Sequence, residues 1–185
     1  MYSNRRWGKL VLVTRVRRID IYVHWTVLFI AAIVLLGAAR DPLPAITALI
    51  AYLGVLAIHE AGHLIMAHRL GYDTFSIELY PIFGLARMEA ANSRFDRAAV
   101  AWGGVLAQAA VAVPVLLYLG IAGYPKAGAL NPPLAILGDF SLGIAALNLL
   151  PVGPLDGSAA RTIVPAYFER RARRNRRPIP YRSTR

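Results

Sequence analysis

Residues 42–67 read PLPAITALIAYLGVLAIHEAGHLIMA, an apolar run that carries three ionisable side chains in its second half. His59 and His63 are four residues apart, so on a helix they lie on one face and can both bind a single zinc ion. Glu60, between them, is the residue type that activates a water molecule at such a site. Because ionisable groups in hydrocarbon are costly, they mark function. The run therefore predicts a metal site within a membrane-spanning helix.

Three further apolar runs accompany it, at residues 21–39, 98–122 and 134–150. A spanning helix needs about 20 predominantly apolar residues. The first two runs satisfy this length, and the third, with Asp139 as its single charge, approaches it. Hydrophobic residues make up 57% of the 185-residue chain. We therefore expect an all-α polytopic membrane protein with about four transmembrane helices.

The segment between the second and third runs has a different character. Residues 74–79 alternate between polar and apolar at the period of a strand. Pro81 and Gly84 then interrupt the pattern, and residues 85–89 can form a second strand. This predicts a short β-hairpin on the cytoplasmic side, with an irregular loop as the alternative. Open strand edges are not tolerated against lipid, so the hairpin must face protein or a wet cavity.

The net charge of +11 is concentrated at the two ends of the chain. Nine arginines lie from Arg161 onward, whereas the two loops on the other side carry only Arg40 and Lys126. The positive-inside rule then predicts that both termini are cytoplasmic, and we expect a prokaryotic plasma membrane. The basic ends are expected to bind anionic lipid headgroups rather than nucleic acid. The sequence indicates no oligomeric state.

Three regions follow from these patterns. Residues 1–20 are expected to form a basic N-terminal arm, residues 21–157 a transmembrane core, and residues 158–185 a cytoplasmic tail that is amphipathic and rich in arginine. The first apolar run is interpreted as a retained span rather than a cleaved signal. A surface helix over 158–170 is predicted to turn Ile163, Val164 and Phe168 inward.

The predicted metal site needs a third ligand, because zinc hydrolases commonly use three protein ligands and leave a fourth position to water. The chain has no cysteine, so the ligand must be a histidine or a carboxylate. Among the other histidines and carboxylates of the chain, Asp156 and His24 are the plausible third ligands, because the sequence places them at a membrane depth similar to that of His63. Each residue also has an alternative explanation that involves no metal. Asp156 can be a turn residue before Gly157, and His24 can be a hydrogen-bonded histidine at the membrane interface.

At this point the sequence resembles the site-2 protease family of intramembrane zinc metalloproteases. The motif from His59 to His63 resembles the family's zinc motif, and residues 148–157 resemble its second signature, in which asparagine and prolines precede Leu-Asp-Gly. Residues 104–108 resemble a Gly-Pro-Leu-x-Asn element, and His24 resembles a histidine early in the first helix. The likeness covers roughly residues 20–165.

The resemblance implies a zinc ion bound by His59, His63 and Asp156, with Glu60 as the general base. It also implies substrate or transition-state contacts from a second set of residues: Asn148, Gln108, His24 and Gly84. The sequence departs from the family where Gln108 replaces asparagine, Val105 replaces proline and Phe83-Gly84 replaces Gly-Gly.

The expected function is an intramembrane zinc metalloprotease that cuts transmembrane segments of membrane proteins in regulated intramembrane proteolysis. The alternative is a non-catalytic membrane protein that a metal ion stabilises and that binds membrane-helix partners. Glu60 favours the first, since a purely structural metal site does not need it.

Overall fold

The computed structural model describes residues 10–16, 18–38, 40–81, 84–126, 128–152 and 155–175. Helices dominate these residues, and one small sheet of four strands accompanies them. In chain order the elements are β1 (Leu10–Val16), β2 (Ile19–His24), α1 (Trp25–Gly37), α2 (Pro42–Arg69), β3 (Thr74–Leu79), β4 (Gly84–Met88), α3 (Arg94–Ala122), α4 (Asn131–Ala135), α5 (Ser141–Asn148), α6 (Gly157–Ala160) and α7 (Ile163–Asn175).

Three helical segments of the described chain are long and apolar enough to cross a membrane. They are α2 with 28 residues, α3 with 29, and the segment Gly128–Asn148 with 21. The last contains α4, a π-helical turn over Ile136–Phe140 and α5. The chain thus has the character of a membrane protein.

The predicted count of four spans is not confirmed, because the first apolar run divides between two kinds of structure. Its first residues belong to β2, and the helix that follows, α1, has 13 residues. At 1.5 Å per residue such a helix is about 20 Å long, short of a hydrocarbon core of about 30 Å. Hydropathy alone does not distinguish a strand from a helix in this run, since a buried strand is as apolar as a helix.

The sheet has the order β1-β2-β3-β4, so the fold is mostly helical rather than all-α. The predicted hairpin forms, with β3 over the expected residues and β4 one residue earlier than expected, over Gly84–Met88. β2 pairs in parallel with β3 and antiparallel with β1. The prediction missed β1 and β2, which lie in the expected basic arm and first span. The cytoplasmic placement of the hairpin stays a prediction.

Helices α2 and α3 pack at very short range through glycine. A Cβ built on Gly62 would lie 2.3 Å from the carbonyl oxygen of Gly103. Small residues at such a crossing allow two backbones to approach, which is a common means of helix association in membranes. This close approach sets the position against α3 of the face of α2 that carries His59 and His63.

The predicted surface helix over 158–170 is divided into α6 and α7, and its inward face is not the one expected. Ala166 is buried, whereas Val164 is 60% exposed and Phe168 59% exposed. Ile163 is half-buried. The prediction was wrong for Val164 and Phe168, because the side of α7 that meets α3 carries the charged residues Glu169 and Arg170. Residues 1–9 and 176–185, which include parts of the predicted arm and tail, lie outside the described residues.

Candidate active site

Helix α2 places His59, Glu60 and His63 in the interior, where they are 4%, 2% and 6% exposed. The histidine Nε2 atoms lie 2.9 Å apart. Oδ2 of Asp156 lies 3.0 Å from Nε2 of His59 and 3.2 Å from Nε2 of His63. The three potential ligand atoms therefore form a nearly equilateral triangle, although Asp156 is 97 residues from His59 along the chain.

This triangle fits zinc. Zinc binds histidine nitrogen and carboxylate oxygen at about 2.0–2.2 Å and prefers a tetrahedron, in which ligand atoms are roughly 3.3 Å apart. The observed separations of 2.9–3.2 Å are close to that value. Two histidines and one carboxylate are also a donor set used by catalytic zinc. His59, His63 and Asp156 are thus the residues that could hold the metal.

The opposite ring nitrogens of both histidines have fixed partners. Nδ1 of His59 lies 2.8 Å from Oε1 of Gln108, and Nδ1 of His63 lies 2.7 Å from the carbonyl oxygen of Val100. Each partner is an acceptor, so each Nδ1 carries the hydrogen and donates it. Nε2 then keeps the lone pair that a metal needs, and the ring orientation is set by α3.

Gly104 on α3 leaves the room for these two rings. A Cβ at this position would lie 2.6 Å from Nε2 of His63 and 2.7 Å from Cε1 of His59. Any side chain here would push the imidazoles out of place. The small residues of α3 therefore form the back wall of the site.

Asp156 reaches the histidines from the segment after α5. Its carbonyl oxygen accepts hydrogen bonds from the amides of Ala159 and Ala160, and these bonds form the first turn of α6. A Cβ on Gly157 would lie 2.0 Å from the carbonyl oxygen of Leu149, so the close turn requires glycine. Nε1 of Trp102 donates to the carbonyl of Ala160 at 3.1 Å and ties α6 to α3. Pro154, one of the prolines of the second signature, lies outside the described residues.

Glu60 lies beside the histidines with a buried carboxyl group. Neither carboxyl oxygen has a hydrogen-bond partner among the described residues. Buried polar groups are nearly always satisfied, so an exception points to a role in chemistry. The start of β4 closes over this carboxyl group: a Cβ on Gly84 would lie 1.8 Å from Oε1 of Glu60. The structure thereby brings together Glu60 and Gly84 with the three metal-site residues.

His24 has a different set of partners. It caps the N-terminus of α1, and its Nδ1 lies 2.6 Å from Oγ1 of Thr26. Its ring stacks on Tyr80, with 5.1 Å between ring centroids. The Tyr80 hydroxyl donates to Glu78 at 3.2 Å. Burial and the Glu78 carboxylate raise the pKa of Tyr80 to about 12, so it remains a donor at neutral pH.

Asn148, another residue that the resemblance singles out, and three further titratable side chains complete the description. Asn148 is 1% exposed at the end of α5, and its Nδ2 has no hydrogen-bond partner among the described residues. Glu78 forms a 2.7 Å ion pair with Arg87. Asp139 is exposed and lies 3.5 Å from the Tyr124 hydroxyl. His68 is exposed at the end of α2.

Sequence reasoning missed the role of Val100, which contributes only a backbone carbonyl. Every residue has such a carbonyl, so no sequence signal could have identified it. The contact between Gln108 and His59 was also not predicted. Its only signal was the presence of a polar side chain within an uncharged run, which indicates a buried partner but not which one.

No family model matches the chain. A protein of Synechocystis sp. named "Putative zinc metalloprotease" is 36% identical over 117 residues, which is 60% of this chain and 29% of that protein. The chain therefore aligns with less than a third of that relative. The solved site-2 protease from Methanocaldococcus jannaschii shares the fold, with a TM-score of 0.65 and 20% identity over 86% of this chain and 73% of that one. The first comparison thus relates part of this chain to part of a longer protein, and the second shows that the two chains share a fold.

Proposed function

We propose that this protein is an intramembrane zinc metalloprotease that hydrolyses peptide bonds in the transmembrane segments of membrane proteins. The observation that carries the proposal is the triangle of His59, His63 and Asp156, with no side longer than 3.2 Å, next to the buried carboxyl group of Glu60. A site made only for structural metal would not need a buried acid without a hydrogen-bond partner.

Each residue has a distinct part in the reaction. His59, His63 and Asp156 would hold zinc, which when bound supplies Lewis acidity and an acidified water. Glu60 takes the proton from the attacking water and later delivers a proton to the leaving amine. Gln108 and the Val100 carbonyl keep the two imidazoles in the orientation that binds metal.

The substrate is a membrane-spanning helix that unwinds near the site, since the peptide bonds of an intact helix are shielded by its own hydrogen bonds and side chains. β4 is the last strand of the described sheet, and its first residue contacts the Glu60 carboxyl group. An extended substrate segment can add to the outer edge of β4 by backbone hydrogen bonding. A substrate segment bound at this edge would have its backbone next to Glu60. Asn148 and His24 are proposed as additional polar contacts for the substrate.

The cellular setting follows from the charge distribution. The concentration of arginine and lysine at the two chain ends supports an orientation with both termini cytoplasmic. The proposed location is a prokaryotic plasma membrane. In this arrangement the protease would act in regulated intramembrane proteolysis and release the cytoplasmic part of its substrate.

Glu60→Gln tests the proposal. The amide keeps the size of the side chain but cannot take a proton, so we expect cleavage of a single-span reporter to fall by at least about 100-fold. Zinc content and thermal stability should remain at the level of the unmodified protein, because Glu60 is not among the proposed ligands. Glu89→Gln, which changes an exposed carboxylate, is the matched control and should retain full activity.

Two results would contradict the proposal. One is a purified Glu60→Gln protein that cuts the reporter at the normal rate. The other is a zinc-loaded unmodified protein that binds the reporter helix and leaves it intact, as a non-catalytic metal-stabilised protein would. Inhibition of cleavage by 1,10-phenanthroline, with recovery on added zinc, would support metal dependence.

A further inference from the structure

Helix α7 has an exposed face that is apolar in its first turns and cationic in its last. Val164, Tyr167 and Phe168 are 60%, 49% and 59% exposed. They are spaced at i, i+3 and i+4, so they lie on one side of the helix. Arg171 continues the same side one turn later, and Arg174 borders it.

The opposite face of α7 is held against the start of α3. Ala166 is buried there. Glu169 forms a 3.1 Å ion pair with Arg94. Arg170 lies 3.4 Å from Asp96 and places its guanidinium 4.8 Å from the centre of the Phe95 ring. Because this side is occupied, the apolar and cationic face is directed away from the helix bundle.

The contacts of α6 and α7 with α3 also set the depth of the face. Trp102 contacts α6, and Phe95 lies 6.3 Å from the ring of Tyr167 in α7. The charged residues of α3 end at Arg97, and residues 98–122 carry no charge. As the chain passes from α6 into α7, it therefore moves from the depth of the uncharged part of α3 to the depth of the charged first turn of α3.

This order matches the layers of a membrane surface. At such a surface Val164 would lie at the boundary of the apolar layer. Tyr167 and Phe168 would lie at the level where aromatic side chains are enriched in membrane proteins. Arg171 and Arg174 would lie farther out, where arginines extend their charged groups to lipid phosphates.

A cavity of about 330 Å³ opens at the cationic end of this face. Within the described part of the chain, neither Arg171 nor Arg174 forms an ion pair with a carboxylate. Such a group of guanidinium side chains matches the geometry of a phosphate, which arginine binds through paired hydrogen bonds. The residues around the cavity are Tyr167, Arg170, Arg171, Arg174 and Asn175.

We propose that this face of α7 docks on an anionic phospholipid surface, with Phe168 and its apolar neighbours in the interface and Arg171 and Arg174 on the lipid phosphates. Each arginine near such a surface favours binding by roughly five-fold. Loss of both should therefore weaken the docked state by on the order of 25-fold. Docking does not depend on protease activity, so the proposal stands or fails separately from the proposed function.

The absence of cysteine from the chain allows a direct test. The full chain with Phe168→Cys, labelled with the polarity-sensitive fluorophore nitrobenzoxadiazole, is placed in nanodiscs of phosphatidylcholine with or without phosphatidylglycerol. We expect a larger blue shift of the emission in the anionic discs. High salt should reduce the difference because it screens the arginines. A label at Arg173→Cys, on the side that lines the contact with α3, should report the same polarity in both lipids.

Charge reversal tests whether Arg171 and Arg174 are responsible for the response to anionic lipid. Arg171→Glu/Arg174→Glu should abolish the response of the Phe168 label to anionic lipid. Arg40→Glu/Lys126→Glu makes the same change in net charge at exposed positions outside α7 and should preserve it. If the double variant of α7 unfolds, the salt dependence of the labelled chain that keeps both arginines still shows whether docking is electrostatic.

Several results would overturn the proposal. A label at residue 168 that reports water in both lipids would show that the face does not dock. A response that survives Arg171→Glu/Arg174→Glu and high salt would exclude the arginine contacts. A blue shift that depends on the number of protein copies per disc rather than on lipid charge would assign the face to a second copy of the chain.

Discussion

At the scale of single residues, the contact between Gly84 and Glu60 makes a sharp prediction. A methyl group at Gly84 would lie 1.8 Å from Oε1 of Glu60, so Gly84→Ala must displace the carboxyl group or the start of β4. Since a misplacement of about 1 Å costs roughly 100-fold in rate, we expect a loss of this size in reporter cleavage. Zinc content should be unchanged, because Gly84 is not one of the proposed ligands.

Gly54→Ala is the control for this variant. A Cβ at Gly54 has no atom within 4 Å, so the same chemical change should leave both cleavage and zinc content at normal levels. Normal cleavage by the Gly84→Ala protein would mean that Glu60 is not the base or is not covered by β4.

The sequence could predict only part of this residue-level arrangement. The spacing of His59 and His63 determines that both rings share one helix face, since helical geometry is local. The choice between Asp156 and His24 could not be made from spacing, because it depends on how distant segments fold. The structure brings Asp156 to the histidines and leaves His24 stacked on Tyr80.

At the scale of elements, the crossing of α2 and α3 should be sensitive to a single methyl group. A Cβ on Gly103 would lie 2.5 Å from the carbonyl oxygen of Gly62. Gly103→Ala should therefore separate the helices and lower the free energy of unfolding by about 1–3 kcal/mol, as overpacking does. Thermal unfolding in detergent micelles measures this change.

Gly120→Ala tests whether the effect belongs to the crossing. Gly120 is on the same helix, and a Cβ there has no atom within 4 Å. Its replacement should leave stability unchanged or raise it slightly, because alanine is a better helix former than glycine. Equal loss of stability in both variants would argue against glycine-mediated packing of α2 on α3.

Elements were predictable where one signal dominates. Long apolar runs gave α2 and α3 within a few residues of their observed ends, and strand-period alternation gave β3. β2 was hidden because it continues directly into α1, with His24 as the single polar residue at the junction. Its partner β3 is more than 50 residues away, so no local pattern reveals the pairing.

At the scale of the whole molecule, bound zinc would join α2 to the segment that precedes α6. A ligand that binds only the folded state stabilises it, by about 2.7 kcal/mol at 100 times its dissociation constant. We expect a chelator to lower the melting temperature of the unmodified protein. Asp156→Ala should contain less zinc and should respond little to the chelator.

Asp139→Ala supplies the comparison, since Asp139 is an exposed carboxylate outside the site. It should keep both its zinc and its response to the chelator. Equal zinc in the Asp156→Ala and unmodified proteins would remove Asp156 from the ligand set.

The parallel pairing of β2 with β3 has a consequence for biogenesis. Ile21 pairs with Ile77, and the chain between them forms α1 and α2. The two ends of this helical segment must therefore come together before the pairing can form. The sheet can be completed only after the ribosome has made β4, which follows α2 in the chain. Glu60 is therefore synthesised before the strand that covers it, and the final surroundings of its carboxyl group form only when the sheet assembles.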